Sequence, residues 1–310
     1  MIAYIRSVFC AVGCPTAMGT SAMPLARFFT TRLHTALEPW QSAARKGRLR
    51  DFDLAPGAVL PVALVRPGPA GGCADPLCGL LAADARGFHR RNAPRAGLRR
   101  WGVPTAMLLD LDRFPSGEAY AEAVSRRSRG NIARAAKKAA RLGVTWAPIR
   151  PESYAASIAA ITGSKRVRSG GPVLAAWIGT GTRTADTREA PAAAGCPAHW
   201  TLAWGAFIEE AEGPRLIAYL ALRRVGDMCR THELMGHGDY LRTGAMKFLF
   251  LEVARWLMDR RAAETQGLRW FMYGAMEHGA PGLHEWKRLM CFEPANLAFE
   301  PAAARASGAA

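Results

Sequence analysis

The succession of hydrophobic patterns predicts a mixed α/β chain of the α+β kind: a central, largely antiparallel sheet flanked by helices, with a smaller N-terminal mixed unit before it. Three observations carry this expectation. Strand-like runs at residues 200–208, 215–225 and 228–235 are separated by Glu212-Gly213-Pro214 and by the two-residue hairpin signal Gly226-Asp227, the punctuation of a meander. Residues 243–261 are apolar around most of a helical circumference, leaving Glu252, Arg255 and Asp259 as one polar stripe, which predicts a largely buried helix. A strand at 268–273, a helix at 281–290 and a strand at 296–300 complete the order.

Upstream, residues 144–149 read as a strand and 152–161 as a helix, with Pro151 suited to its first turn. Residues 179–198 are a Gly/Thr/Ala-rich surface loop with the composition of a lid. A short strand at 106–111 ends in Asp110 and Asp112, residues that commonly cap or turn a chain. Before it lie a helical segment at 28–44, a strand at 59–65 interrupted by Pro61, a loop at 67–76, and a basic patch from Arg86 to Arg100. The expected organisation is a start of 1–23 outside the fold, with Met18 or Met23 as alternative first residues. A mixed unit at 24–115, a main domain at 116–300 and a disordered Ala-rich tail at 301–310 follow.

Residues 120–143 predict one strongly basic amphipathic helix. Tyr120, Val124, Ile132, Ala135, Ala139 and Leu142 recur at three- and four-residue steps and form a packing stripe. Arg126, Arg129, Arg134, Lys137 and Arg141 fall on the opposite side, where they can meet anions or simply face solvent. The whole chain is basic, with 41 Lys+Arg against 25 Asp+Glu and a formal charge of +16, which favours phosphates, nucleic acid or an acidic membrane surface. Only six of the 41 are Lys, so the excess also reflects an Arg-, Ala- and Gly-rich composition, and the placement of charge is more informative than its sum.

Seven cysteines, an odd number in a chain of 310 residues, argue against a disulfide framework and for a reduced, cytoplasmic protein. Cys10 with Cys14 and Cys73 with Cys78 lack a companion His cluster, so no metal site is expected. No run reaches the roughly 18 apolar residues of a membrane span. Cys196 and Cys229 have no activating neighbour in sequence.

Chemistry concentrates where the third meander strand enters the buried helix. Arg242, Thr243, Gly244 and Ala245 form a glycine-containing helix start whose free N–H groups and positive dipole end suit a phosphate or pyrophosphate, although a plain turn and cap need the same residues. Candidate proton acceptors are His232, Glu233, His237, Glu277 and His278, with His237 preferred because it ends a central strand beside that turn. Glu277 and His278 sit in the loop after the next strand.

This element order resembles the GNAT acyltransferase fold. Two local patterns are similar to FemAB-type relatives. One is Leu109-Asp110-Leu111 followed by the segment with Arg129-Gly130-Asn131-Ile132 and trailing basic residues. The other is Tyr273-Gly274, Gly282-Leu283, Trp286-Lys287-Arg288 and Phe292-Glu293-Pro294. The resemblance covers about residues 105–300. It implies transfer of an acyl or aminoacyl group from acyl-CoA or aminoacyl-tRNA to an amine on a small molecule or peptide, with no tightly bound cofactor. It also implies that Lys287 holds a donor phosphate or stabilises charge at the reacting carbonyl, and Arg288, Arg126 and Arg129 are further candidates for binding the polyanionic donor. The opposing readings are a non-catalytic nucleic-acid-binding protein and a peripheral protein of an anionic membrane surface, both using the basic helix.

Overall fold

The computed structural model describes residues 61–66, 106–168, 171–173, 196–276 and 281–299. Eight strands form one sheet: β1 (Val62–Val65), β2 (Ala106–Asp110), β3 (Thr145–Ile149), β6 (His199–Glu210), β7 (Gly213–Val225), β8 (Met228–Gly236), β9 (Trp270–Ala275) and β10 (Glu293–Phe299). Their spatial order is β1-β10-β2-β9-β8-β7-β6-β3, and only β1/β10 and β8/β9 run parallel. The predicted mixed α/β architecture, a large and mostly antiparallel sheet flanked by helices, is therefore present. Two short strands, β4 (Val167–Arg168) and β5 (Gly171–Pro172), make a separate hairpin.

The meander appears with the expected turns, since the pairing of β7 with β8 runs from Val225↔Met228 outward and Gly226 takes the positive φ of 63° that a two-residue connection demands. Asp227 at its tip ties the sheet together. Its side chain accepts from the Arg66 amide at 2.9 Å and its carbonyl accepts from the Arg269 and Trp270 amides. Pro148 in β3 is tolerated because β3 is an edge strand. Strands β1 and β2 come from the segment before residue 116, and β2 pairs with both β9 and β10 inside the sheet.

One face of the sheet carries α1 (Gly117–Arg127), α2 (Asn131–Arg141), α4 (Ala245–Asp259) and α5 (Pro281–Leu289). Leu249, Phe250, Val253, Ala254 and Leu257 of α4 are buried there against Trp200, Trp204, Leu220 and Leu222. The other face carries α3 (Ala155–Gly163), whose Ile158 and Ile161 pack on Phe207, Leu216 and Tyr219. Pro151 opens a 3-10 turn, Pro151–Tyr154, that leads into α3, so the helix begins later than its sequence pattern suggests.

The single basic helix expected at 120–143 is two helices. Arg129 (φ 49°) and Gly130 (φ 75°) are left-handed, a conformation that stops α1. The Ser128 hydroxyl accepts from the Ile132 amide and helps to start α2 at a new angle. Tyr120, Val124, Ile132 and Ala139 are buried as expected, but Leu142 lies beyond the last turn and is exposed. The polar stripe of α4 is also occupied: Asp259 accepts from the Gly117 amide and Arg255 packs beneath Gly117, where a Cβ would come within 2.9 Å of its backbone. The helix at 28–44, the loop at 67–76, the Arg86–Arg100 patch, most of the 179–198 loop, the terminal segments, and Cys10, Cys14, Cys73 and Cys78 lie outside the described residues.

Candidate functional site

Strands β8 and β9 are hydrogen-bonded neighbours only through Met228↔Trp270, Cys229↔Phe271 and Arg230↔Met272. Beyond these, β8 continues to Gly236 and β9 to Ala275 with no strand pairing between them among the described residues. The reason lies in their other partners. β8 follows β7 along its whole length, with an irregularity at Ala221/Leu222, while β9 follows β2. The centre of the sheet is thereby left unpaired at one end, where backbone groups that a ladder would use are available to a ligand.

Two buried polar groups flank this gap on opposite faces. On the helical face, Tyr273 is the first β9 residue past the last pair, and Lys287 of α5 sits with its Nζ 5.8 Å from the Tyr273 ring centroid. Lys287 is only 1% exposed. An ammonium removed from water is stabilised by a π face, and the Tyr273 ring supplies one here. Phe250 and Phe292 meet the Tyr273 ring at 5.8 and 5.5 Å, and Phe271 and Trp286 extend this aromatic cluster through Phe250. Burial pushes the Tyr273 hydroxyl well above its usual range, so it remains a protonated donor.

On the α3 face, Glu233 of β8 accepts a hydrogen bond from the Tyr219 hydroxyl at 2.8 Å and is 6% exposed. It lies three residues past the last β9 pair, opposite Ala221. Glu233 is thus a buried carboxylate beside the gap, oriented by a phenol.

His237 follows β8 at the start of the 3-10 turn Gly238–Thr243. Its Nδ1 accepts from the Asp239 amide at 3.4 Å, and the ring edge meets Tyr240 at 5.5 Å. In the neutral ring this places the proton on Nε2 and makes that nitrogen a donor. Tyr240 itself donates to Glu210, which Arg215 also holds at 3.1 Å.

The residues expected to hold a phosphate are distributed differently from their sequence neighbourhood. Gly244 is left-handed (φ 89°) and packed so tightly on α2 that a Cβ would lie 2.2 Å from the Ala135 carbonyl oxygen. Thr243 Oγ1 accepts from the Ala245 amide at 3.2 Å, which engages the first amide of the helix. Arg242 is exposed, and its carbonyl accepts from Lys138 Nζ at 3.0 Å. Arg288 turns away from the gap: two bonds of 2.7 and 2.6 Å join it to Glu285, and its carbonyl accepts from Arg127. Arg126 and Arg129 are exposed at the α1–α2 corner, with Arg126 paired to Glu122 at 2.6 Å. Glu277 and His278 lie outside the described residues. Burial raises the Cys229 thiol far above neutrality, so it is not a nucleophile.

The structure thus brings Lys287, Tyr273 and Glu233 to one gap and leaves Arg242, Arg288, Arg126 and Arg129 on the surface. Sequence reasoning missed His284, which is buried one turn before Lys287. Its signal was the three-residue spacing on an amphipathic helix.

No family model matches the chain, and no curated protein matches it. Among solved structures, it is similar to the C-terminal domain of a protein assigned as a lysylphosphatidylglycerol synthetase from Agrobacterium fabrum, with 12% identity and a TM-score of 0.37 over 62% of this chain. A tandem GNAT protein from the clavulanic acid biosynthesis pathway matches at 15% identity and 0.38 over 76%. L-PGS from Bacillus licheniformis matches at 17% identity and 0.35 over 73%. The aligned part spans 57%, 59% and 68% of those chains respectively. Likeness at this level carries nothing about chemistry, which rests on the residues of this chain.

Proposed function

We propose that this chain is an acyltransferase that moves an acyl or aminoacyl group from a thioester or ester donor to an amine, with the reacting carbonyl held in the gap between β8 and β9. The observation that carries this reading is the pairing of two buried, oppositely charged residue types across one unpaired section of sheet. Lys287 stands on the helical face and Glu233 on the other.

A carbonyl under attack develops negative charge on oxygen, and preformed donors in a dry site stabilise that charge far better than water does. Lys287 Nζ and the protonated Tyr273 hydroxyl are such donors on the face where the donor substrate would lie. Attack requires a neutral amine, so the acceptor proton must leave. Glu233 takes it as the N–C bond forms. The C–S or C–O bond of the donor then breaks, and the proton passes to the departing thiolate or alkoxide. Tyr219 holds the Glu233 carboxylate in place. His237, whose Nδ1 is engaged by the Asp239 amide, serves as a hydrogen-bonding group beside the turn rather than as the base.

Both acyl-CoA and aminoacyl-tRNA remain donors of the right chemistry, because each is a polyanion. Exposed Arg242, Arg126 and Arg129 are suited to phosphates of either. The close packing of Gly244 on Ala135 and the engaged Ala245 amide favour contact through those side chains over a backbone phosphate cradle.

The test is mass spectrometry of whatever copurifies, together with thermal shifts in acyl-CoA and charged tRNA, on wild type and Lys287→Met. Donor-dependent stabilisation of wild type that the variant loses supports the reading. No response to either donor, or an equal response in the variant, overturns it.

A further inference from the structure

We propose that a rim made by α2, the 3-10 turn Gly238–Thr243 and the β4–β5 hairpin docks onto an anionic lipid surface. The three elements are in direct contact. Gly244 abuts Ala135 of α2, Lys138 Nζ bonds the Arg242 carbonyl, the Gly238 amide donates to Ser164 Oγ at 2.8 Å, and Arg168 donates to the Gly236 carbonyl at 3.0 Å. They therefore form one continuous surface at the end of β8.

That surface combines charge with aliphatic tips. Of the four exposed large hydrophobic residues among those described, three belong to it: Val167 at 65%, Leu142 at 47% and Leu241 at 38% exposure. α2 contributes four cations, Lys165 and Arg166 two and the turn one, against the carboxylate of Asp239 in the same elements, while Arg168 is turned inward onto backbone carbonyls. Aliphatic side chains exposed beside lysines and arginines match a membrane interface, where apolar tips enter the headgroup boundary and cations meet anionic lipid. A nucleic-acid surface would gain nothing from aliphatic tips, and it would instead use aromatic platforms for bases. Lys138 also shows the arrangement is anchored, since its ammonium fixes the turn that carries Leu241.

The proposal shares only Arg242 with the acyl-transfer reading, and the variants that test it leave Arg242, Lys287 and Glu233 unchanged. It is tested by sedimentation with phosphatidylcholine vesicles with and without phosphatidylglycerol, using the full chain. Wild type should bind only the anionic vesicles. Arg141→Glu with Arg166→Glu should weaken that binding by at least about tenfold. Leu142→Ser with Val167→Ser should weaken it by about tenfold, and this loss should persist at high salt because apolar insertion is not screened. Arg269→Glu, at the opposite end of β8 beside the Asp227 hairpin, should bind as wild type does. Wild type that ignores anionic vesicles overturns the proposal. So does an aliphatic variant that binds like wild type, or a mixed-sequence RNA that displaces the protein from vesicles and loses affinity only in the charge variant.

Discussion

Lys287 Nζ lies 5.8 Å from the centre of the Tyr273 ring, and these two side chains meet on α5 and β9 immediately past the last residue pair joining β9 to β8. The aromatic face steadies this buried cation, and its position beside an opening in the sheet suits a role towards a bound anion or an oxyanion.

Lys287→Met keeps the shape of the side chain and removes its charge. Turnover should fall roughly 10²- to 10³-fold. The melting temperature in the absence of donor should fall modestly, because the contact with the Tyr273 ring loses its charge while the side-chain volume is kept. Steady-state rates and a thermal melt on the same sample check both, and an undiminished rate removes Lys287 from the site.

Glu233→Gln preserves the acceptor for the Tyr219 hydroxyl while abolishing proton uptake. A loss of kcat of about 10²- to 10⁴-fold is expected, partly recovered with acceptors whose amine is already neutral at the assay pH. Tyr219→Phe should cost less, since it removes only the group that orients the carboxylate. A pH–rate series on the three proteins separates the cases.

Charge reversal at Arg126 and Arg129 should weaken binding of polyanionic donors while leaving the melt nearly unchanged, because both side chains are exposed. The effect should shrink as salt rises, and titration at two ionic strengths reads it directly.

Gly244→Ala should destabilise the protein by roughly 3 kcal/mol or more, since a methyl group there would collide with the Ala135 carbonyl and occupy a left-handed backbone. Denaturant unfolding measures this. A neutral outcome would mean that α2 and α4 can separate at no cost.

Glu293 receives Arg113 at 2.6 Å and Arg127 at 3.2 Å, joining α1 to β10. Burial raises its carboxyl, but the hydrogen bonds and charges of the two arginines outweigh this and leave it below the usual range. Its stabilisation is therefore complete above the unfolded glutamate value of about 4.3 and is lost as pH falls through the lower folded value. Being half exposed, it is worth under about 1 kcal/mol. Glu293→Gln should narrow the stability gap to wild type only below that pH, as acid titrations of unfolding would show.

Much of the fold is legible in the chain because local patterns dictate it. The meander, the apolar helix that became α4, and α5 with its following strand all stand within a few residues of their expected ends, since turn glycines and hydrophobic period are properties of neighbouring residues. The basic stretch at 120–143 defeated the same logic. Its spacing continues through Ser128-Arg129-Gly130, and only the packing of α1 against α4 and α5 and of α2 against Gly244 demands two axes.

The site divides along the same line. The sequence by itself determined that Lys287 lies on an amphipathic helix after a central strand, that Glu233 lies in the third meander strand, and that the cations cluster on α1 and α2, because residue type and spacing are local information. Only the tertiary structure decided that β2 enters the sheet between β9 and β10, that β8 and β9 part after three residue pairs, and that Lys287 and Glu233 face the resulting gap from opposite sides. Those outcomes depend on which distant strands compete for one another's hydrogen-bonding edges, a contest that no spacing within a single segment records.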